Sequence, residues 1–329
     1  MANVIIGIHG LDNKPPKKLL KRWWKLAMKE GLTNNNFRKA LPKFELVYWA
    51  DILYDTPLNN HEKDINSPLY LCDKYVAGSK DFKAENHDTR KKVIDFVGQQ
   101  LNKILLNEDY SLNYSFISDA IMSNFFKDLE VYYNDECTSE NNQLCKVKEL
   151  IKSRLIKVLE KYKDDQIMLI CHSMGSIVAF DVLNFNTTNI PIHTLVTMGS
   201  PLGIPVVMSK IAAEQRGRQL EGNYMQTPGS VKKCWYNFSD ILDKVAYNYK
   251  LADDFSVNKH NVSPIDFLVV NNYEIDGKRN PHKIFGYLRT PEFSIILNDF
   301  IQSEKLTIFM KSKRHLNKWF NSIKEKISS

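Results

Sequence analysis

The 329-residue sequence has few of the features that mark fibrous, disulfide-rich or membrane-spanning proteins. Its 13 glycines and 12 prolines are too few for a low-complexity chain. Its five cysteines form an odd set without a CxxC pair, which argues against a disulfide framework and a thiolate zinc site. No apolar run approaches the roughly 20 residues that a membrane-spanning helix needs. These absences favour a globular protein in a reducing compartment.

The first ten residues also lack the features of a secretory leader. They contain no basic segment, and their apolar run is too short for a signal peptide. We therefore expect a cytoplasmic protein. Hydrophobic residues make up 43% of the chain and charged residues 25%, as in ordinary globular proteins. Without a repeat or a clear linker, residues 1–329 are predicted to form one elaborated domain.

The net charge of +7 is concentrated near the two ends of the chain. Residues 12–30 contain seven basic and two acidic side chains, and residues 302–329 contain the same numbers. The second segment, predicted as a basic C-terminal helix, carries Trp319, Phe320 and other apolar residues among its lysines. It could pack on the core or lie on an anionic membrane surface, and peripheral membrane contact through the two basic termini is one expectation. No recognition motif accompanies the charge, and a nucleic-acid partner is not expected.

Apolar runs of strand and helix type alternate along the chain. The strand-like runs are 4–9, 44–50, 167–171, 194–198, 233–238 and 267–274. The helical patterns include the segment around 19–27 and residues 88–107, 146–162, 173–184 and 291–301. This alternation predicts an α/β fold, with a mostly parallel central sheet and helices on both faces.

Residues 51–145 interrupt this order and are predicted to form an insertion. Residues 110–133 within it are rich in Tyr, Phe, Ile and Leu. They are interpreted either as a lid over an apolar site or as an ordinary packed helix pair.

The strongest chemical signal is Cys171-His172-Ser173-Met174-Gly175, which lies between a predicted strand and a predicted helix. A tight turn at this point exposes a serine hydroxyl and requires small neighbours, the arrangement called a nucleophile elbow. Gly175 fits the pattern. Cys171 stands where glycine is usual, but it is small enough to be accommodated.

A serine nucleophile needs a base, and the base needs a carboxylate to orient it. In hydrolases with this elbow the acid and then the histidine follow the serine in the chain. Asp240 and Asp243 both follow the predicted strand 233–238, and either could be the acid. His282 follows the last predicted strand and is the candidate base. The remaining histidines lie early in the chain, before the last predicted strand or in the basic tail (His9, His61, His87, His172, His193, His260 and His315).

The reaction also needs donors for the developing oxyanion, and backbone N–H groups are the usual ones. One is expected from Met174, the residue after the serine. The second is expected in the loop after the first strand, at His9-Gly10-Leu11, with Leu11 as the donor.

Together these segments resemble the α/β-hydrolase superfamily, and within it the lipase-like serine esterases. The matching segments are IIGIHGL (5–11), LICHSMGSIVAFDVL (169–183), LVTMGSPLGIP (195–205), WYNFSDILDKVA (235–246) and PHKIFGYLRTPEF (281–293). The resemblance implies a catalytic triad of Ser173, Asp243 and His282, because the D-x-V-A context of Asp243 is similar to the family's acid loop. It also places the turn at Gly199 beside the nucleophile, although this turn could equally just end a strand.

The resemblance implies a serine hydrolase that cleaves carboxylic esters through an acyl-enzyme, without a metal or organic cofactor. The aromatic insertion favours lipid or fatty-acyl esters as substrates. An acyltransferase or a thioesterase would use the same triad, so these activities remain alternatives. A third alternative is a protein that binds membrane surfaces on a hydrolase scaffold without catalysis.

Overall fold

Six parallel strands form the central sheet in the described part of a computed structural model. The structure describes residues 1–79, 91, 132–133, 137–138, 144–145, 147–186, 190–218, 225–246 and 248–303. The strands are β1 (Asn3–Ile8), β2 (Lys43–Val47), β3 (Gln166–His172), β4 (Ile192–Met198), β5 (Val231–Asp240) and β6 (Pro264–Val269). Their spatial order is β2-β1-β3-β4-β5-β6, and each neighbouring pair is parallel. The central strands are apolar along their length because both faces of the sheet are covered.

Helices cover the two faces of the sheet. They are α1 (Lys17–Asn34), α2 (Val147–Lys161), α3 (Gly175–Phe185), α4 (Pro205–Gly217), α5 (Ile284–Tyr287) and α6 (291–303). One apolar core joins α2, α3 and α4 to the sheet, and a second joins α1, α5 and α6 to its other face. Among the described helices, none is long and apolar enough to cross a membrane. The predicted α/β class, with a mostly parallel sheet, is confirmed.

The shorter elements lie in the connections. Single turns of 3-10 helix span Ala50–Ile52 and Leu251–Asp253. Two-stranded antiparallel hairpins pair Cys137–Thr138 with Leu144–Cys145 and Glu274–Ile275 with Lys278–Arg279.

The last predicted strand, 267–274, begins and ends later in the chain than the observed one. The observed strand begins at Pro264, which an outer strand tolerates as its first residue, and ends at Val269. The backbone then turns because the Asn271 N–H donates to the Asp240 carboxylate at 2.6 Å. Glu274 consequently belongs to the separate hairpin. The predicted helix 173–184 likewise begins later, at Gly175, because Ser173 occupies the turn.

The predicted insertion 51–145 lies largely outside the described residues, as do most of its aromatic segment 110–133 and the basic C-terminal segment from residue 304. The longest described part of it, 51–79, is held to the body of the protein. Tyr75 Oη and the Gly78 N–H donate to the Glu30 carboxylate of α1 at 2.8 and 2.7 Å. Arg289 donates to the Val76 carbonyl at 2.7 Å. The lid function of the insertion stays a prediction.

Candidate active site

Ser173 occupies the sharp turn between β3 and α3. Its φ is +54°, in the left-handed region that costs a non-glycine residue about 1–3 kcal/mol. The Ser173 N–H donates to the Met198 carbonyl at the end of β4, at 3.0 Å, and this bond holds the turn against the neighbouring strand. The hydroxyl therefore lies at the carboxyl edge of the sheet, where ligands bind in open α/β folds.

Small residues surround this turn, as the sequence pattern requires. A Cβ on Gly10 would lie 2.6 Å from Ser173 Cβ, and a Cβ on Gly175 would lie 2.8 Å from the His9 carbonyl oxygen. Cys171 is buried in the core between α3 and the sheet. Burial raises the pKa of the Cys171 thiol well above its usual range, so its thiolate is disfavoured.

The candidate acid and base meet directly. His282 Nδ1 lies 3.0 and 2.9 Å from the two carboxylate oxygens of Asp243. Because a carboxylate only accepts, Nδ1 carries the proton and donates it, which leaves the lone pair on Nε2. Asp243 is buried, whereas the His282 side chain is 29% exposed. The Val245 N–H also donates to Asp243, at 2.9 Å, and fixes the carboxylate in the loop after β5.

Asp240, the alternative acid, lies in different surroundings. Its carboxylate accepts from Arg279 Nη2 and the Asn271 N–H, each at 2.6 Å, and from the Leu242 N–H at 2.8 Å. Burial raises the pKa of Asp240, and the Arg279 charge and the two backbone N–H groups oppose that shift. This set of bonds ties the end of β5 to the hairpin that precedes His282. The structure thus brings Asp243, and not Asp240, to the imidazole.

Gly199 packs against the Asp243–His282 pair. Its φ is +56°, and a Cβ there would lie 2.8 Å from Asp243 Oδ2 and 3.0 Å from His282 Nδ1. The Gly199 turn that ends β4 therefore lines the site in addition to ending the strand. The Met198 carbonyl accepts a hydrogen bond from the Ser173 N–H, so residues 198–199 link the serine turn to the acid–histidine pair.

Two contacts to this pair come from residues that the sequence patterns did not indicate. Tyr287 Oη donates to Asp243 Oδ2 at 2.7 Å and accepts from the Asp240 N–H at 3.0 Å. His172 Nε2 donates to the His282 carbonyl at 2.7 Å, and the two rings lie 4.8 Å apart. Burial lowers the pKa of His172 well below its usual range, and the neighbouring His282 adds to this shift, so His172 remains a neutral donor.

The first-strand side of the site is held by a buried histidine. His9 Nδ1 lies 2.7 Å from the Gly10 carbonyl and donates to it, so Nε2 accepts from the Trp49 N–H at 3.0 Å. The His9 ring also stacks on the Trp49 indole, with centroids 4.8 Å apart. These contacts fix the peptide that leads into Leu11.

The two predicted oxyanion donors, Leu11 and Met174, belong to the segments next to Ser173. Leu11 follows Gly10, whose backbone lies directly against the serine side chain. Met174 is the residue that caps the N-terminus of α3, where the backbone N–H groups are unpaired within the helix and the helix dipole is positive. Both positions suit stabilisation of a negative oxygen bound at Ser173.

Within the described ranges, no group of three or more His, Cys, Asp or Glu side chains is arranged to hold a metal ion. The expectation that the chemistry needs no metal or organic cofactor stays a prediction.

The family described as PGAP1-like alpha/beta domain matches residues 99–271, more than half of the chain. The matched range contains β3 to β6, Ser173, Asp240 and Asp243, and it ends before His282. No curated protein and no solved structure matches the chain.

Proposed function

Because the chain belongs to the PGAP1-like alpha/beta domain family, a lipase-like α/β-hydrolase family, we propose that it is a serine hydrolase that cleaves carboxylic esters. One observation carries the proposal: the strained Ser173 turn lies at the same sheet edge as the Asp243–His282 hydrogen bond. A nucleophile on a strand-to-helix turn, followed in the chain by an acid and a histidine, is the arrangement of serine esterases.

In the first half of the proposed reaction, His282 Nε2 accepts the proton of Ser173 Oγ while Oγ attacks the ester carbonyl carbon. Asp243 accepts from Nδ1–H, keeps the ring in the required tautomer and stabilises the imidazolium that forms. The N–H groups of Leu11 and Met174 donate to the tetrahedral oxyanion. The loss of one such donor typically lowers kcat about 100- to 1000-fold.

The tetrahedral intermediate then collapses. The bond to the leaving alkoxide breaks, His282 Nε2–H protonates the alkoxide, and the acyl group remains on Ser173. Water attacks the acyl-enzyme as Nε2 removes its proton, and Ser173 Oγ leaves with the proton that His282 returns.

We place lipid or fatty-acyl esters first among the substrates. The aromatic and aliphatic composition of residues 110–133 supports an apolar acyl group. A series of p-nitrophenyl esters from acetate to decanoate measures this preference. We expect kcat/KM to rise with chain length, and a maximum at acetate would contradict the preference while leaving the esterase proposal intact.

Labelling with a fluorophosphonate probe tests the nucleophile. The wild-type protein should be labelled and should lose esterase activity in parallel, while Ser173→Ala should neither be labelled nor hydrolyse p-nitrophenyl butyrate. Ser176→Ala is the matched control, since this serine lies one helical turn away and its hydroxyl bonds to the Ser173 carbonyl and to Ser200. Equal labelling of wild type and Ser173→Ala would rule out the proposed nucleophile.

A further inference from the structure

The outer face of α1 carries a line of exposed cations. Lys18, Arg22, Lys25 and Lys29 are spaced at i, i+4, i+7 and i+11, which places them on one side of the helix. We call these four residues the α1 stripe. The opposite side of α1 is buried against the sheet through Leu20, Trp23, Trp24, Ala27 and Met28. At 1.5 Å per residue, the α1 stripe is roughly 16 Å long.

The acidic side chains near α1 are engaged elsewhere. Glu45 on β2 pairs with Lys17 and Lys21, at 3.8 and 3.2 Å. Glu30 faces inward and binds Arg289 at 3.3 Å. In the part of the chain that the structure describes, no acidic side chain lies within 4.0 Å of the charged atoms of the α1 stripe.

The stability of α1 does not explain this arrangement. Like charges three and four residues apart repel and destabilise an isolated helix. Cations at the N-terminus of a helix also oppose its dipole, and α1 has no acidic residue in its first turn and no basic residue in its last. A charge pattern that works against the helix indicates that the stripe serves an external partner.

One end of the α1 stripe lies at the same edge of the sheet as the candidate site. α1 follows β1 through the loop that contains Gly10 and Leu11, so its N-terminal end lies at the sheet edge that carries Ser173. Lys18 is at that end of the helix. A partner bound along the stripe would therefore extend to the edge of the sheet where a substrate would enter.

We propose that the α1 stripe docks the protein on an anionic lipid surface and recognises the negative phospholipid headgroups by charge. The choice of lipid over another polyanion rests on the proposed esterase function, because a lipid ester must be reached at a membrane surface. A row of cations along an exposed helix matches the plane of headgroups. Each Lys or Arg near such a surface strengthens binding roughly fivefold.

The test is co-sedimentation of the full-length protein with two kinds of vesicle, phosphatidylcholine alone and a 70:30 mixture of phosphatidylcholine and phosphatidylserine. The wild-type protein should bind the anionic vesicles and be released by 0.5 M NaCl. The variant Lys18→Gln, Arg22→Gln, Lys25→Gln, Lys29→Gln should bind them about three orders of magnitude more weakly. Glutamine preserves the helix and removes the repulsion, so the thermal midpoint should not fall.

The matched control replaces four exposed lysines away from α1 with glutamine, and so removes the same net charge: Lys157, Lys163, Lys233 and Lys259. This variant should bind anionic vesicles nearly as the wild type does. Equal loss of binding in the two variants would show that net charge alone acts, and it would overturn the proposal. The proposal would also be overturned if the protein bound a 20-base-pair RNA duplex through the α1 stripe and did not bind anionic vesicles.

Hydrolysis of soluble p-nitrophenyl butyrate separates this proposal from the esterase proposal. Both variants should retain wild-type hydrolysis of this substrate. A wild-type protein that binds anionic vesicles through the stripe but hydrolyses no ester would contradict the esterase and support docking. An active esterase whose vesicle binding is unchanged in the stripe variant would support the esterase proposal and contradict docking through the α1 stripe.

Discussion

Two regions border Ser173, and each is organised by an imidazole in a different electrostatic setting. At the end of β1, His9 bonds to the Gly10 carbonyl and the Trp49 N–H and is buried. Burial, with a smaller effect from the Lys14 charge, lowers the pKa of His9 to about 3. After β6, His282 is partly exposed and bonds to the Asp243 carboxylate at 2.9 Å.

The difference separates two tasks. A carboxylate beside His282 stabilises a positive ring, as the transfer of a proton from a serine requires. A neutral, stacked ring at His9 holds a backbone segment in place without placing a charge near the oxyanion loop. The Asp243–His282 pair therefore lies where a proton is proposed to move, and the neutral His9 ring lies where a peptide must be oriented.

The largest predicted effect comes from Asp243→Asn. The amide would donate to His282 Nδ1 and favour the tautomer whose Nε2 carries hydrogen, so Nε2 could no longer accept the serine proton. We expect kcat/KM for p-nitrophenyl butyrate to fall about 1000- to 10,000-fold, with unchanged circular dichroism. Asp240→Asn is the control: it leaves Arg279 without its carboxylate, but it should keep most of the activity of the folded protein. Equal losses in the two variants would contradict the assignment of Asp243 as the acid.

The next largest effect is a loss of folding stability at acid pH that is caused by His9. In the unfolded chain the ring binds a proton near pH 6.5, whereas its pKa of about 3 keeps it neutral in the folded protein. The unfolded state therefore binds more protons between these values, and the free energy of unfolding falls as the pH drops below 6.5. The protonation of His9 in the unfolded chain should lower the free energy of unfolding by about 2–3 kcal/mol between pH 7 and pH 4.5.

Urea unfolding at several pH values measures this effect. His9→Gln should lower stability at pH 7 and show a shallower decline towards pH 4.5 than the wild type. His61→Gln, at an exposed position, should follow the wild-type curve. If the stability of His9→Gln declined with pH as steeply as that of the wild type, His9 would not be held neutral by the fold.

The smallest of the three effects is that of Tyr287→Phe. Its hydroxyl donates to Asp243 Oδ2, and a hydrogen bond to a charged group contributes about 1.5–3 kcal/mol. Only part of this stabilises the transition state, so we expect kcat to fall about tenfold with little change in KM. Tyr273→Phe is the matched control, because its buried hydroxyl donates to the Lys74 carbonyl, away from Asp243. Equal losses of kcat in the two variants would show that Tyr287 acts only through general stability.

The order of strands and helices could be predicted because each central strand is a continuous apolar run and each long helix has an apolar period. The position of Ser173 between a strand and a helix followed from that order. The choice between Asp240 and Asp243 did not follow from the residues themselves, since both come directly after the predicted strand 233–238, and the observed β5 ends at Asp240. The choice depends on which carboxylate accepts hydrogen bonds from Asn271 and Arg279. These two residues follow β6, and both donate to Asp240.

The roles of Tyr287, His172 and Trp49 could not be predicted for a similar reason. Tyr287 is one apolar position in a short helical pattern, and no spacing shows that its hydroxyl reaches a carboxylate after another strand. The sequence pattern places His172 at the strand end before Ser173, where β3 does end, but no pattern indicates its bond to the His282 carbonyl, 110 residues away in the chain. Trp49 lies inside the predicted strand 44–50, whereas β2 ends at Val47 and the indole stacks on His9.

The contact between Glu30 and Arg289 joins residues 259 positions apart in the chain. Trp23 of α1 likewise packs on Phe285, with ring centroids 5.9 Å apart. During synthesis at about 5–20 residues per second, the apolar side of α1 therefore waits roughly 10–50 seconds for the residues that cover it. Trp24 can already stack on Phe44, but Trp23 stays uncovered for that time, so the newly made chain should be a substrate for chaperones until α5 and α6 have been synthesised.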